Sequence, residues 1–427
     1  LFAAVCSLAS AQGIPSHTQY VSMGSSKAWY QAYQSWSPGV ALYNGTDAAE
    51  NEQYFISRVK PRKRFTFTGT QVKENLNPER KLLWWCPLGE ANNGNWNGIP
   101  SYFFGGEVWS MWSYTDIFGN WTAPMIQAPA AFLDACHKNG VRSGVVAAVG
   151  FGAAPSKNDG GHGSNINALI NGGHDKLLRY LRYYGVDGIG FNSEFSWDLL
   201  DPTGFKNLMG NCYSNAASYG VPFNNAWYSF TSNQGGYGDY SVLNSGCVEW
   251  FHYNGKKVSD AYFLNYNWGS SQLATSENTA AGQGRSGFDV YGGMDYQGRS
   301  AAAWTSLKYY NISVGLWGAH NMNMIYEIRG ELGAAPKQMQ KTYQLISENS
   351  FTGSSYNPVN TPNVTDILRH TSTATNFHGF SSFITARSTL TPQDGGSLAT
   401  DPFVTYFNLG NGMFFKEEGE TTFDHEW

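Results

Sequence analysis

Tyr184-Gly185-Val186-Asp187-Gly188-Ile189-Gly190-Phe191-Asn192-Ser193-Glu194 is the stretch on which the reading of this chain turns. Val186, Ile189 and Phe191 are strand formers, and Gly188 and Gly190 thin the backbone between them. Successive side chains of a strand point to opposite faces, so Asn192 and Glu194, two apart, share one face at the strand's end. The helical run before it, residues 174–184, leads straight into the strand. In a βα barrel the C-terminal strand ends are where catalytic groups gather. Taken alone, Asn-x-Glu is an ordinary polar exit from a strand; its context sets it apart.

On either side of this unit, strand-like and helix-like segments alternate. Residues 81–86, 114–119 and 141–150 are the strand candidates before it, and 222–228, 261–265, 288–291 and 312–317 those after it. Residues 141–150 are nearly continuous in small apolar side chains, as a parallel strand covered on both faces should be. Helices are expected over 124–139, with Phe132, Leu133 and Ala135 on the apolar side and Gly140 as a stop, and over 164–184, 203–219, 299–310 and 336–347. Eight such repeats predict an α/β fold of the (β/α)8 TIM-barrel kind over residues 81–395. A doubly wound open sheet is the alternative. Residues 12–80, polar and aromatic without helical period, are expected to wrap the barrel as an N-terminal extension. From about Asn349 the texture turns to Ser, Thr, Asn and Gly, and residues 396–427 are expected to complete the barrel and begin a truncated β-rich domain.

Composition narrows the function. Aromatic residues make up 16% of the 427, a bias that suits carbohydrate sites, where apolar sugar faces stack on rings; most of these rings are nonetheless expected in the core. The net charge of −5, with Lys and Arg clustered only in residues 60–64, argues against a nucleic-acid partner, which needs a basic face. Residues 1–11, apolar and ending Ala9-Ser10-Ala11, read as the tail of a secretory leader cleaved after Ala11, so a secreted, periplasmic or cell-surface location is expected. Cys6 lacks the small residue before it that a lipid anchor would need. No other stretch approaches the ~18 apolar residues of a membrane helix, so no stable membrane insertion is expected. Cys86, Cys136, Cys212 and Cys247 show no CxxC spacing and read mostly as buried thiols. No His/Asp grouping has ligand spacing, so neither metal nor other cofactor is expected.

The chemistry follows from the strand end. A chitinase-like hydrolase would read Asp-Gly-x-Asp-x-Asp-x-Glu here, whereas this chain has Asp187-Gly188-x-Gly190-x-Asn192-x-Glu194. When the 2-acetamido oxygen of an N-acetylglucosamine unit itself attacks the anomeric carbon, the enzyme supplies an acid and a group that holds the acetamide. Asn carries both an acceptor and donors and can do so as its imidic tautomer. Glu194 would protonate the leaving oxygen and then deprotonate the incoming water.

At this point the chain resembles the glycoside hydrolase family 85 endo-β-N-acetylglucosaminidases, whose signature is a strand ending in Asn-x-Glu after Asp-Gly. Further matches occur in order. Trp112-Ser113-Tyr114-Thr115-Asp116 resembles the second-strand motif, and Ala135-Cys136-His137-Lys138-Asn139-Gly140-Val141 a helix-to-strand segment. Ala226-Trp227-Tyr228-Ser229 resembles "WYDS", and Phe263-Leu264-Asn265-Tyr266-Asn267-Trp268 matches "FLNYxW". Gly293-Met294-Asp295-Tyr296-Gln297-Gly298-Arg299 resembles "GxDxxGR", and Pro402-Phe403-Val404-Thr405-Tyr406-Phe407-Asn408 "PFxTxFN".

The resemblance implies cleavage between the two core GlcNAc residues of an N-glycan, with retention through an oxazoline-type intermediate. It implies an N-glycan or glycoprotein as partner, and we expect a monomer. Asn192 would orient the acetamide, Glu194 would act as general acid/base, and Tyr228 would bond near the acetamide. Trp268 would stack on the sugar, Asn265 and Asp295 would shape the pocket, and Trp112 and Tyr240 complete the expected substrate contacts. Tyr228 and Trp268 have the alternative of being core aromatics. His137 reads as structural, and Arg299 as the ion-pair partner of Asp295 four residues before it. Three departures stand out. The third strand carries Val and Ala where the family ends on Thr and Glu, Ser229 replaces the usual Asp, and the loop Trp has only Tyr237 and Tyr240 nearby. A chitinase-like hydrolase is the competing enzyme reading, weakened by Asn192. A catalytically silent glycan-binding protein is the competing reading of another class, weakened by the intact Asn192/Glu194 pair.

Overall fold

The computed structural model describes residues 26–40, 52–53, 55–66, 71–86, 111–120, 126, 128, 130–151, 154–238, 240–295, 304–317, 379–389, 415–417 and 420–423, some of them by backbone alone. Eight parallel strands close into a barrel. They are β1 (Leu82–Cys86), β2 (Ile117–Asn120), β3 (Arg142–Phe151), β4 (Gly188–Glu194), β5 (Asn224–Tyr228), β6 (Ala261–Leu264), β7 (Val290–Asp295) and β8 (Ser313–Trp317). Each pairs in parallel with its sequence neighbours, and β8 returns to β1 through Val314 opposite Leu82. The expected TIM barrel is therefore the fold, and the open sheet is set aside.

Strand alternation sorts the residues into two apolar layers. Inside the barrel lie Leu83, Trp85, Ile117, Ala226, Tyr228, Phe263 and Tyr291. Outside it, Ile189, Phe191, Trp227 and Leu264 face a second core built with the helices. Trp85 spans the lumen from β1, and a Cβ on Gly119 would sit 2.6 Å from its Cδ1, while one on Gly190 would overlap its Cζ2. Phe263 likewise occupies the space that side chains at Gly293 and Gly315 would need. Glycines on β2, β4, β7 and β8 thus make room for two large rings, and the lumen is packed rather than hollow.

Helix α1 (Ser26–Ser35) lies before the barrel, α2 (Ala130–Lys138) leads into β3, and α3 (His162–Tyr184) leads into β4. After these come α4 (Pro202–Tyr219), α5 (Ser270–Gly282) and the single turn α6 (Trp304–Leu307). Asp201 caps α4, accepting from Gly204 N–H at 2.8 Å, with Pro202 in the first turn. α3 is broken at Gly173 (φ 70°, ψ 176°), so the run 174–184 is its second half. It ends on Gly185 at φ 73°, a left-handed position that lets the chain reverse into β4 where a Cβ would press on Ser57.

Three local expectations change. Residues 12–80 contain a helix, α1, whose Trp29 and Tyr33, with Trp36 just beyond its end, bury against Tyr180 on α3; Trp29 Nε1 donates to Tyr180 Oη at 3.1 Å. Their i, i+4, i+7 spacing is a helical stripe that the surrounding polar residues hide. The second strand starts at Ile117 rather than residue 114, because Tyr114 N–H and Thr115 N–H turn back onto Met111 O. The seventh runs later than expected. Gly287–Asp289 forms a 3-10 turn, and Gly292-Gly293, which resemble a strand's end, are the positions that admit Trp268 and Phe263. An antiparallel pairing of Phe65–Thr66 with Arg387–Ser388 ties the segment before the barrel to one after it. The expected helix over 336–347, the motif at 402–408, the leader-like residues 1–11 and Arg299 lie outside the described residues. Cys136, Cys212 and Cys247 are buried free thiols, as read, and the Cys86 side chain is outside the description. Among the described residues no helix is long and apolar enough to cross a membrane.

Candidate active site

β4 delivers the pair that the sequence singles out. Gly188, Gly190, Asn192 and Glu194 share the lumen face, while Ile189 and Phe191 lie in the outer core. Because Gly188 leaves its space to Asn224 and Gly190 leaves its space to Trp85, the first inward side chains that β4 can extend are those at its C-terminal end. Asn192 Nδ2 donates to Glu194 Oε2 at 2.8 Å. Asn192 is 3% exposed, and its Oδ1 is buried without a partner. With a Glu194 carboxyl oxygen accepting this bond, the amide stands with Nδ2 toward Glu194 and Oδ1 away. The buried acceptor left over costs about 1–3 kcal/mol until something donates to it.

The neighbouring strand brings a second pair to the same level. The β4–β5 register ends with Phe191 opposite Trp227, which leaves Asn192 and Tyr228 as the next residues of the two strands. Tyr228 Oη donates to Asn265 Oδ1 at 3.0 Å, and Asn265 Oδ1 also accepts from Tyr266 N–H at 2.7 Å. The Tyr228 ring packs among Phe230, Phe263 and Tyr266 at centroid distances of 5.0, 5.7 and 5.9 Å. Ser193 Oγ donates to Tyr228 O at 2.8 Å and accepts from Thr231 Oγ1 at 2.8 Å, so β4 and β5 are fastened just behind both pairs. Asp295 closes β7 at this same C-terminal end; its side chain is outside the description.

Across β4 from Tyr228, the wall is apolar in sequence. A bulge in β3 between Val146 and Ala148 shifts the register so that Val149 stands opposite Asn192 and Phe151 opposite Glu194. The missing Thr and Glu of the third strand therefore fall beside the catalytic candidates.

The structure takes two of the expected sugar contacts, Trp112 and Trp268, elsewhere. Trp112 precedes β2, at the end of the barrel opposite Glu194. Its carbonyl accepts from Arg64 Nη2 at 3.1 Å, and its ring packs 5.6 Å from Phe118 in the outer core. The late start of β2 is the reason. Trp268 follows β6 at the right end but is 3% exposed. It donates from Nε1 to Gly293 O at 2.8 Å, and its ring lies over Gly292 in the outer core with Leu307, so it wedges β6 against β7 instead of presenting a face. Tyr240 is half-buried, its ring packed against the outer core, and its main chain is tied to the residue after Tyr228: Tyr240 N–H donates to Ser229 O at 3.2 Å, and Ser229 Oγ donates to Tyr240 O. Sequence reasoning missed Trp85, the floor of the site, although its place as an inward residue of β1 was there to be found by alternation. It also missed Tyr266, which lies between two motif residues.

The Asp of the Asp-Gly motif serves the other end of the barrel. Asp187 Oδ2 accepts from Ser143 N–H at 2.8 Å, Ser143 Oγ at 3.0 Å and His137 Nε2 at 2.9 Å, tying α2, β3 and β4 together. His137 is structural, as read. Its burial opposes the charged form, but the hydrogen bond and charge of Asp187, helped by Val59 O, raise its pKa above 6.5. Among the described residues no group of His, Cys, Asp and Glu is gathered closely enough to hold a metal ion.

The comparisons with known proteins bear on the family and the fold. A family model for glycosyl hydrolase family 85 matches residues 104–415. The glycoside hydrolase domain of Endo-D from Streptococcus pneumoniae R6 shares the fold with a TM-score of 0.66 at 20% identity, over 95% of this chain and 59% of that one. This chain thus spans under two thirds of that structure's length. Two family 18 chitinases, from the fern Peteris ryukyuensis and from Crocus vernus, align at TM-scores of 0.34 and 13% identity, over 62% and 61% of this chain and 99% of theirs, a likeness too slight to argue from. No curated protein sequence matches. With the family match spanning most of the chain, this protein belongs to glycosyl hydrolase family 85.

Proposed function

We propose that this protein is an endo-β-N-acetylglucosaminidase that hydrolyses the GlcNAc-β1,4-GlcNAc linkage in the core of N-glycans, with the substrate's own acetamide as nucleophile. The observation that carries the proposal is the Asn192–Glu194 pair. Its 2.8 Å hydrogen bond leaves one buried amide oxygen with nothing to accept from. An acetamide N–H placed at the strand end fits that need. Once bonded to Asn192 Oδ1, its carbonyl is turned toward the anomeric carbon and made more electron-rich.

Each step balances with groups in hand. Glu194, protonated, gives its proton to the leaving glycosidic oxygen as the acetamide oxygen closes on the anomeric carbon, and an oxazolinium ion forms. Glu194, now a carboxylate, takes a proton from the water that reopens the ring, so configuration is retained. Asn192 serves both half-reactions by following the charge on the acetamide nitrogen. Tyr228, held by Asn265 on the adjoining strand, lies within the same ring of strand ends and is proposed to bond near the oxazolinium. Ordinary burial does not require a carboxyl and an amide to face each other at the end of a packed lumen. This favours an enzyme over a silent glycan-binding protein, and Asn192 in place of Asp favours the N-glycan core over chitin. The leader-like composition of residues 1–11 supports an exported enzyme.

The test is mass spectrometry of a high-mannose glycoprotein after incubation with the purified protein. Protein left with a single GlcNAc on Asn, and glycan released with one GlcNAc at its reducing end, is the expected outcome. Intact substrate, from high-mannose and complex glycoproteins alike, with glycan still bound would overturn the hydrolase in favour of a lectin-like barrel.

A further inference from the structure

Ser229 stands where the family pattern has Asp, and its contacts show what the exchange does. It is fully buried at the end of β5, directly after Tyr228. Its hydroxyl donates to Tyr240 O and accepts from Asn265 N–H at 3.1 Å. Its main chain donates to Phe263 O at 3.0 Å and accepts from Tyr240 N–H at 3.2 Å. One residue therefore fastens β5, β6 and the loop through residue 240 at a single point. Asn265, whose backbone Ser229 holds, carries the Oδ1 that receives the Tyr228 phenol.

We propose that Ser229 is a positioning residue for the reaction proposed above, acting through Asn265 to fix the Tyr228 hydroxyl. The requirement is for a side chain that donates and accepts at once. A hydroxyl does both, whereas a carboxylate can satisfy the Asn265 N–H but has nothing to give Tyr240 O. A carboxylate at 229 would be buried against a carbonyl oxygen, with its charge unpaired. The loop that carries Tyr240 is thus matched to serine, and restoring the family's usual residue is expected to damage this chain rather than improve it. This proposal rests on the hydrolase reading.

The experiment compares S229A and S229D, each with and without Y228F, in glycan release from a high-mannose glycopeptide. Unfolding temperature and the NMR signal of ζ-13C-labelled Tyr228, assigned by its loss in Y228F, are followed alongside. S229A is expected to lower kcat about tenfold, with KM changed less than about twofold. In the Y228F background it should add almost nothing, since the group it positions is gone. S229D should lose more kcat than S229A, and the Tyr228 signal should shift in both. The proposal is overturned if S229A keeps wild-type kcat, if it costs the same factor with and without the Tyr228 hydroxyl, or if S229D outperforms S229A. Should the wild type release no glycan, the hydrolase reading fails by itself. The NMR signal then decides the positioning alone, and a Tyr228 resonance unmoved in S229A sinks it.

Discussion

The two ends of this barrel are built on opposite terms. At the floor, where the strands begin, charged groups meet partners on neighbouring elements. Arg142 pairs with Asp260 at 2.8 Å, and Tyr213 Oη donates to the other Asp260 oxygen at 2.6 Å. Asp289 is shared by Lys81 and Arg285, and Asp116 is bound by Arg387 at 2.5 Å. Asp260 shows the consequence. Burial alone would raise its pKa, but Arg142 and the Tyr213 hydroxyl outweigh it and bring the carboxyl down to about 2. At the mouth, by contrast, Asn192 is buried with half its amide unanswered. The difference is one of charge: the floor pairs its charged groups within the fold, although Asn224 Oδ1 and Asn225 Oδ1 there are also buried without a partner, whereas the mouth sets its open amide oxygen beside the Glu194 carboxyl group.

The sharpest way to break this comparison is to alter the mouth and watch stability. Glu194→Gln keeps shape and hydrogen-bond capacity but removes the proton. Hydrolysis should fall about 10³-fold or more while glycan binding and unfolding temperature stay near wild type. An unchanged rate would remove Glu194 from the chemistry.

The converse change falls on the floor. Asp187→Ala strands the Ser143 N–H, the Ser143 hydroxyl and His137 in the core. It should destabilise by about 3 kcal/mol in urea unfolding, with little change in kcat per folded molecule. A large kcat loss with stability intact would mean that the Asp-Gly half of the motif belongs to the site after all.

Gly190→Ala tests the boundary between the two ends. Its new methyl would overlap Trp85 Cζ2, and Trp85 is enclosed on the β2 side by Gly119. The ring must shift beneath Asn192, so stability should drop by about 2 kcal/mol and kcat should fall as well. This is the one change expected to move both readouts; if only stability responds, Trp85 supports the fold but not the site.

How much of this was legible in the sequence follows from the same division. Strand alternation alone placed Asn192 and Glu194 on one face, and the apolar run of 141–150 alone marked a strand covered on both sides. Both are local properties of period two. What escaped depended on where strands start. Trp112 looked like a site residue until β2 was seen to begin five residues later, which puts it at the floor. Trp268 carries no mark in the sequence that separates a ring offered to sugar from one wedged over Gly292; only the second glycine strand, far along the chain, decides it. The Tyr228–Asn265 bond was invisible for the same reason, since it joins residues brought together by the β5–β6 register. Periodicity reveals faces, but contacts between elements are set by register.

The smallest expected effect is a pH dependence confined to the floor. His137 touches Asp187 through Nε2, and Val59 O and Ser57 Oγ through Nδ1, with Asp134 also nearby. Burial disfavours its charged form, but the acceptors around it prevail, and its pKa in the folded protein is raised above 6.5. The folded state thus holds this proton more tightly than the unfolded chain does. The resulting stabilisation is complete below pH 6.5 and is lost as pH climbs through the raised value. In urea unfolding from pH 5 to 9, wild type should therefore lose part of its stability across that window, and His137→Gln, which cannot charge, should lose less. An advantage of wild type over His137→Gln that grows with pH would reverse the sign and show that the neutral imidazole is the form the floor prefers. Since His137 and Glu194 belong to opposite ends, the kcat profile of folded His137→Gln should keep the wild-type shape, and a profile that moved with it would show that the two ends are coupled through β4.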